Sequence, residues 1–279
     1  MFTPSPPRIP SRHRPRGFTI VHEDHDLLVV DKEPGVLTMS THADNGATVE
    51  QGLTRYLRKG GARSRHQAWL VHRLDRATSG LLVFAKSEAV QRKLKDHWET
   101  TRKLYLAAVH GHLEEKSGEL AHYLAEDINQ FVRVVAHRGM GTLARAAYTV
   151  IKETPELSLL RIQLLTGRKN QIRVQFAHLG HPVAGDVKYG VPDRFRTRMA
   201  LHARSLSFPH PHTGARVTFE TPVPLYFEKL AGGLTEADWN KVAAPPVVAE
   251  KAVAPAQPTA EKSLHPAQKQ PPRRKRRSF

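Results

Sequence analysis

Residues 70–86 read Leu-Val-His-Arg-Leu-Asp-Arg-Ala-Thr-Ser-Gly-Leu-Leu-Val-Phe-Ala-Lys, and the single carboxylate among them, Asp75, stands between Arg73 and Arg76. Positive charge on both sides favours the ionised acid. A carboxylate so held, and sheltered from water, can serve as nucleophile or base. An Arg-x-Asp-Arg string taken alone is more often a surface ion pair, and such pairs are weak. Two further stretches carry chemistry. Tyr105 lies in a strand-like run over residues 103–111, where a tyrosine by itself is ordinarily a packing aromatic. Gly167-Arg168-Lys169-Asn170-Gln171-Ile172-Arg173 places a glycine turn and several cations at the start of a helical pattern. The unpaired N–H groups of such a start suit a phosphate or a carboxylate.

These residues need elements to position them. Apolar runs at 69–71 and 81–85 predict strands flanking Asp75, with Thr78, Ser79 and Gly80 as turn residues between. Ahead of them, 18–22 and 27–32 predict a strand pair around a polar turn, and Pro34-Gly35 breaks the chain. Thr48-x-x-Gln51 predicts a capping box for a helix carrying Val49, Leu53, Tyr56 and Leu57, ended by Gly60-Gly61. Ser87 caps a second helix with Ala89, Val90, Leu94 and Trp98 as its apolar stripe. Its other face, with Arg92, Lys93, Lys95 and then Arg102 and Lys103, offers cations to a phosphate backbone. Four strands follow at 119–125, 131–136, 144–151 and 157–165, and short turns between them argue for antiparallel pairing. Ile172, Phe176 and Leu179 mark a helix stopped by Gly180; strands at 201–208 and 216–220 and a last helical turn or two at 224–230 close the body.

The chain has 279 residues, no cysteine and a formal net charge of +17. Much of the charge lies at the ends: residues 1–17 hold four arginines and no acid, and 241–279 hold nine basic residues against two glutamates. Such a balance points to a polyanionic partner, nucleic acid before membrane. No apolar run is long enough to span a bilayer. Without cysteine there is neither a disulfide framework nor a Cys-containing zinc site. His110-x-His112 and His210-x-His212 read as sheet or loop histidines, so no metal is expected. Asp24-His25-Asp26 precedes the strongest apolar run instead of following it, which argues against phosphoryl-transfer chemistry there. The composition divides the chain into a basic Pro-rich leader at 1–17, a folded body at 18–240 and a disordered Ala/Pro-rich basic tail at 241–279.

His72-Arg73-Leu74-Asp75-Arg76-Ala77-Thr78-Ser79-Gly80-Leu81-Leu82 resembles the catalytic motif of RluA-type pseudouridine synthases, which isomerise uridine to pseudouridine in ribosomal and transfer RNA. Lys32-Glu33-Pro34-Gly35, Lys103-Leu104-Tyr105 and the segment from Gly167 through Leu179-Gly180-His181-Pro182-Val183-Ala184-Gly185-Asp186 resemble further motifs of that family, in the family's order. Asn170 and Gln175 stand where the family pattern has histidines. The resemblance implies an α+β pseudouridine synthase fold, with a mixed, largely antiparallel sheet and flanking helices around an RNA-binding cleft. It implies Asp75 as catalytic carboxylate, Arg173 as its basic partner and Tyr105 as an aromatic that stacks on the base or takes its last proton. Arg73 would fill the gap left by a flipped nucleotide, and Arg76, Lys103 and Arg168 would contact RNA. No cofactor is implied, and a cytoplasmic monomer acting on rRNA or tRNA is expected. The alternative is an RNA-binding protein of the same fold without activity, which the presence of Asp75 disfavours. An RRM would need an RNP-type aromatic run, which the sequence lacks.

Overall fold

The computed structural model describes residues 16–40, 47–58, 64–192, 195 and 198–241. Strands β1 (Phe18–Glu23), β2 (Leu27–Lys32), β3 (Trp69–Leu70), β4 (Ser79–Ala85), β5 (Arg102–His110), β6 (Ser117–Glu126), β7 (Val132–Val135), β8 (Thr142–Glu153), β9 (Leu157–Leu164), β10 (Leu201–Pro209) and β11 (Arg216–Glu220) form one sheet. Its order is β1-β2-β4-β10-β5-β9-β8-β6-β7, with β11 added to β10 and β3 to β4. The β4–β10 pair is parallel. The remaining pairs are antiparallel.

The apolar runs explain why β2 and β4 lie inside the sheet. Leu28, Val30, Leu82 and Phe84 enter a large core on one face, while Leu27, Val29, Leu81, Val83 and Ala85 enter a second core on the other. A strand buried on both faces loses its polar alternation and reads as a continuous hydrophobic stretch. Helix α1 (Val49–Arg58) covers the first face with Val49 and Leu53. Helix α2 (Glu88–Asp96) covers the second with Leu94 and Val90.

Several expectations are refined by the structure. Thr48 accepts the Gln51 backbone N–H at 3.2 Å, but the Gln51 amide donates to Ser40 at 2.8 Å, so only half of a capping box forms. Gly60-Gly61 lie outside the described residues. Ser87 does cap α2, accepting from the Val90 N–H at 3.3 Å. Ala89, placed on the apolar stripe by sequence, is exposed, and Trp98 lies in a separate 3-10 turn, Trp98–Thr100. Ser79 and Gly80 belong to β4, not to a turn; the turn closes earlier, where the Thr78 N–H donates to the Asp75 carbonyl at 3.1 Å. Gly80 has φ +114°, and a Cβ there would lie 2.3 Å from the Ala203 carbonyl oxygen, so glycine lets β4 and β10 approach. Helix α3 (Gln171–His178) and helix α4 (Leu225–Leu230) match the sequence pattern. Helix α5 (Glu236–Lys241) was not expected.

Candidate active site

Asp75 sits on the loop between β3 and β4, Tyr105 on β5 and Arg173 on α3, so residues nearly 100 positions apart converge on one cleft of about 480 Å³. Asp75, Arg73, His72, Trp98, Lys103, Tyr105, Arg168 and Arg173 all line it. The loop carrying Asp75 is held from below. Leu74 is buried, its N–H donates to the Thr38 hydroxyl at 3.3 Å, and that hydroxyl donates to the Leu74 carbonyl at 2.8 Å. The wholly buried Lys32 ammonium donates to the carbonyls of Glu33, Val36 and Arg76 at 3.0, 2.9 and 3.1 Å. Burial, set partly against the charges of Asp75 and Asp31, brings this lysine down to about 8. The backbone turn around Asp75 is therefore anchored at both ends.

Arg173 connects the acid to the rest of the fold. Its Nη1 donates to Asp75 Oδ2 at 2.8 Å and to Asn170 Oδ1 at 3.0 Å. Its Nε and Nη2 donate to the two oxygens of Asp186 at 2.7 and 2.8 Å. A bidentate pair fixes the plane of the guanidinium as well as its position. Burial works against this cation, but the hydrogen bonds and charge of Asp186, joined by those of Asp75, more than reverse that and raise its pKa. Asp186, almost wholly buried, also accepts the N–H groups of Lys188 and Tyr189 at 2.9 and 3.2 Å. The Tyr189 ring lies 5.1 Å from the guanidinium carbon, and its hydroxyl accepts from Asn170 Nδ2 at 2.9 Å. Asp75 itself is more open, with a quarter of its side chain exposed. The arrangement thus presents one oriented carboxylate to the cleft and keeps the other for support.

Asn170 stands where the family pattern has histidine, and its backbone is left-handed, with φ 53°. Asparagine is enriched in that conformation. It places the side-chain oxygen on Arg173 and the amide on Tyr189, so the substitution is accommodated by local bonds. Gln175, the second departure, is fully buried and donates to the Ala144 carbonyl at 3.1 Å, away from the cleft. Tyr105 lines the cleft with no hydrogen-bond partner for its hydroxyl among the described residues. Burial, with help from the Asp75 charge, raises its pKa, so the phenol is neutral at ordinary pH.

The predicted RNA-contact residues separate. Arg73 is exposed at the cleft and makes no ion pair or side-chain hydrogen bond among the described residues. Arg168 is exposed and donates from Nε to the Leu143 carbonyl at 3.1 Å. Lys103 lines the cleft but is buried in β5, so it does not belong to the exposed basic face of α2 that carries Arg92, Lys93 and Lys95. Arg76 is not among the cleft-lining residues; its Nε donates to the Gly35 carbonyl at 3.0 Å. Sequence reasoning assigned no role to Asp186 or Tyr189. The string Gly185-Asp186 was a usable signal for the first, whereas nothing local marks the second.

Among the described residues, no three His, Asp or Glu side chains are placed to hold a metal ion. Asp24 is engaged in a turn: Oδ1 accepts the N–H groups of Asp26 and Leu27 at 2.8 and 2.7 Å, and His22 and His210 meet Oδ2 at 2.7 and 3.2 Å. No helix among the described residues is long and apolar enough to cross a membrane.

Asp75, Arg173 and a neutral Tyr105 thus meet at one cleft of a mixed sheet, and the comparisons show which family the chain belongs to. Residues 26–178 match the family model described as RNA pseudouridylate synthase. The chain is 32% identical to the RNA pseudouridine synthase YlyB of Bacillus subtilis (strain 168), over 79% of this chain and 74% of that protein. It is 32% identical to the dual-specificity RNA pseudouridine synthase RluA of Vibrio cholerae, over 75% of this chain and 84% of that one. Among solved structures, human RNA pseudouridylate synthase domain containing 1 superposes with a TM-score of 0.63 at 26% identity, covering 82% of this chain and 97% of that one. The chain belongs to the RluA-type RNA pseudouridine synthase family, isomerases that convert uridine in RNA to pseudouridine.

Proposed function

We propose that this protein isomerises specific uridines in structured RNA, ribosomal or transfer, with Asp75 as the catalytic carboxylate. The observation that carries this reading is the 2.8 Å pair between Asp75 and an Arg173 already held by Asp186. The reaction breaks a glycosidic bond, turns the uracil and forms a carbon–carbon bond. An oriented carboxylate open to a cleft is suited to act in it as nucleophile or base. The neutral, buried Tyr105 favours stacking on the uracil over removal of its proton. Arg73, exposed at the cleft and without an ion pair among the described residues, would fill the space of an extruded nucleotide. Lys103 and Arg168 meet RNA within the cleft, and Arg76 beside the catalytic loop. The protein works in the cytoplasm as a monomer, without metal or cofactor.

The test is incubation of purified protein with ribosomal and transfer RNA transcripts, followed by chemical mapping of pseudouridine. Asp75→Asn preserves shape but removes the nucleophile and base, so pseudouridine is lost and RNA affinity persists. Turnover near wild type in this variant would remove Asp75 from the chemistry; binding by the wild type without any pseudouridine would favour an inactive RNA-binding protein of this fold.

A further inference from the structure

One end of the cleft is lined by His72, Trp98, Glu99 and Lys103. Among the described residues no hydrogen bond or ion pair joins Asp75 or Arg173 to this group. Lys103 is 7% exposed, yet its ammonium has a single hydrogen bond, to the Trp98 carbonyl at 3.3 Å, and lies 5.7 Å from the centre of the Trp98 ring. It forms no ion pair among the described residues. Glu99 is exposed and lies beyond ion-pair distance, although its charge is felt at the ammonium. A buried cation without an anion is costly. Burial accordingly lowers the Lys103 pKa, with the Glu99 charge only partly opposing it.

His72 stands beside it in a fixed state. The Val83 N–H donates to His72 Nε2 at 3.2 Å, which requires a lone pair there. Burial, reinforced by the Lys103 charge, pushes the imidazole down to about 3. The neutral ring therefore carries its proton on Nδ1, which has no partner among the described residues. The ring stacks on Trp98 with centroids 4.6 Å apart and planes 26° apart, which fixes its direction. Trp98 in turn is packed against Phe208.

We propose that Lys103 and the Nδ1–H of His72, both set by Trp98, form a phosphate subsite for a nucleotide next to the target uridine. The ligand is an anion because a neutral acceptor would leave the ammonium uncompensated. Within a bound RNA that anion is a phosphodiester. Its place in the strand follows from β5: residues 103 and 105 share a face, about 6.6 Å apart, so the phosphate lies one short step from the base at Tyr105. This subsite rests on the RNA-isomerase reading for its ligand, but its test reads binding and stability, not turnover.

Lys103→Met and Lys103→Gln are compared with wild type in titrations of a uridine-rich single-stranded RNA at several KCl concentrations, with thermal melts of the free proteins alongside. Loss of one phosphate contact reduces the slope of log affinity against log salt by about 0.7. Lys103→Met keeps or raises the melting temperature, because no uncompensated charge is left inside. The proposal is overturned if the slope is unchanged in both variants, or if both melt well below wild type, which would make the ammonium a structural group. Pseudouridine mapping with wild type separates the two readings. A moving slope without wild-type isomerisation removes the activity and keeps the subsite; isomerisation with an unmoved slope does the reverse.

Discussion

At the scale of single residues, Tyr105 and Asp186 give opposed expectations. Among the described residues the Tyr105 hydroxyl has no hydrogen-bond partner, and its pKa is raised, so Tyr105→Phe changes little: pseudouridine formation falls less than about tenfold, which is under about 1.4 kcal/mol of barrier. A positioned acid or base contributes about a hundredfold or more; a loss of that size in single-turnover assays would show that the phenol moves a proton. Asp186 acts through Arg173. Asp186→Asn removes the charge that fixes the guanidinium and leaves a buried arginine short of a partner, at a cost of about 3 kcal/mol in urea denaturation. The displaced Arg173 no longer aims Asp75, and the rate drops about a hundredfold. Wild-type rate in the folded variant would show that Arg173 orients the acid unaided.

At the scale of elements, the junction of β2, β4 and β10 supports the loop that carries Asp75. Asp31 pairs with Leu81 in the sheet register, and Lys32 with Gly80. Ser79 Oγ meets His202 Nδ1 at 2.9 Å, and the far nitrogen of that ring meets the Thr221 hydroxyl at 2.7 Å, which joins β4 to β10 and to the chain after β11. Burial keeps His202 neutral, with its pKa pushed down to about 3, helped by the charges of Arg198 and Arg204. Asp31 titrates in the accessible range: burial, against the nearby charge of Arg198, lifts it from 3.8 to about 6. A carboxylate whose folded pKa is raised contributes its stability below the unfolded pKa and loses it as pH rises through the folded one. Between pH 4 and 7 the wild type should therefore lose roughly 2 kcal/mol relative to Asp31→Asn. Urea melts of both proteins at the two pH values check this; a constant difference would show that Asp31 is not held protonated by its surroundings.

At the scale of the whole molecule, charge and anchoring divide at the end of α5. Trp239 is buried between the guanidiniums of Arg161 and Arg204, whose central carbons lie 4.4 and 4.6 Å from its ring, and Arg204 also pairs with Glu236. These contacts fasten the last described helix to β9 and β10. Residues 242–279 lie outside the described part, and they include five consecutive cations at 273–277. Cations attract a phosphate backbone without reading sequence. Deleting residues 242–279 should lower the salt slope of single-stranded RNA binding by up to about 3.5, the limit for five contacts. The modified uridine should not change. An unmoved slope would remove the tail from RNA binding, and an altered site would place specificity outside the folded body.

Most of the elements are legible in the sequence, because β2 and β4 carry the apolar runs 27–30 and 81–85 and α3 repeats its apolar residues at helical spacing before Gly180. Asp75, Tyr105 and Arg173 stood out through the resemblance of their motifs to the RluA-type family, since a tyrosine in a strand or an arginine in a helix marks no role by itself. α5 escaped because six residues with one tryptophan carry too little periodicity to announce a helix; its stability comes from two arginines on distant strands. Gly80 read as a turn residue because the same residue type serves turns and close strand contacts, and only the Ala203 carbonyl distinguishes them. Lys103 read as one of a basic series, although strand alternation turns it inward to Trp98. The tertiary structure alone decided that Asp186 and Tyr189 support Arg173, that Arg76 lies off the cleft, and that His72 shares a cleft end with Lys103. Local spacing fixes what a segment becomes; the partners of a buried charge are set by chain crossings that no local pattern encodes.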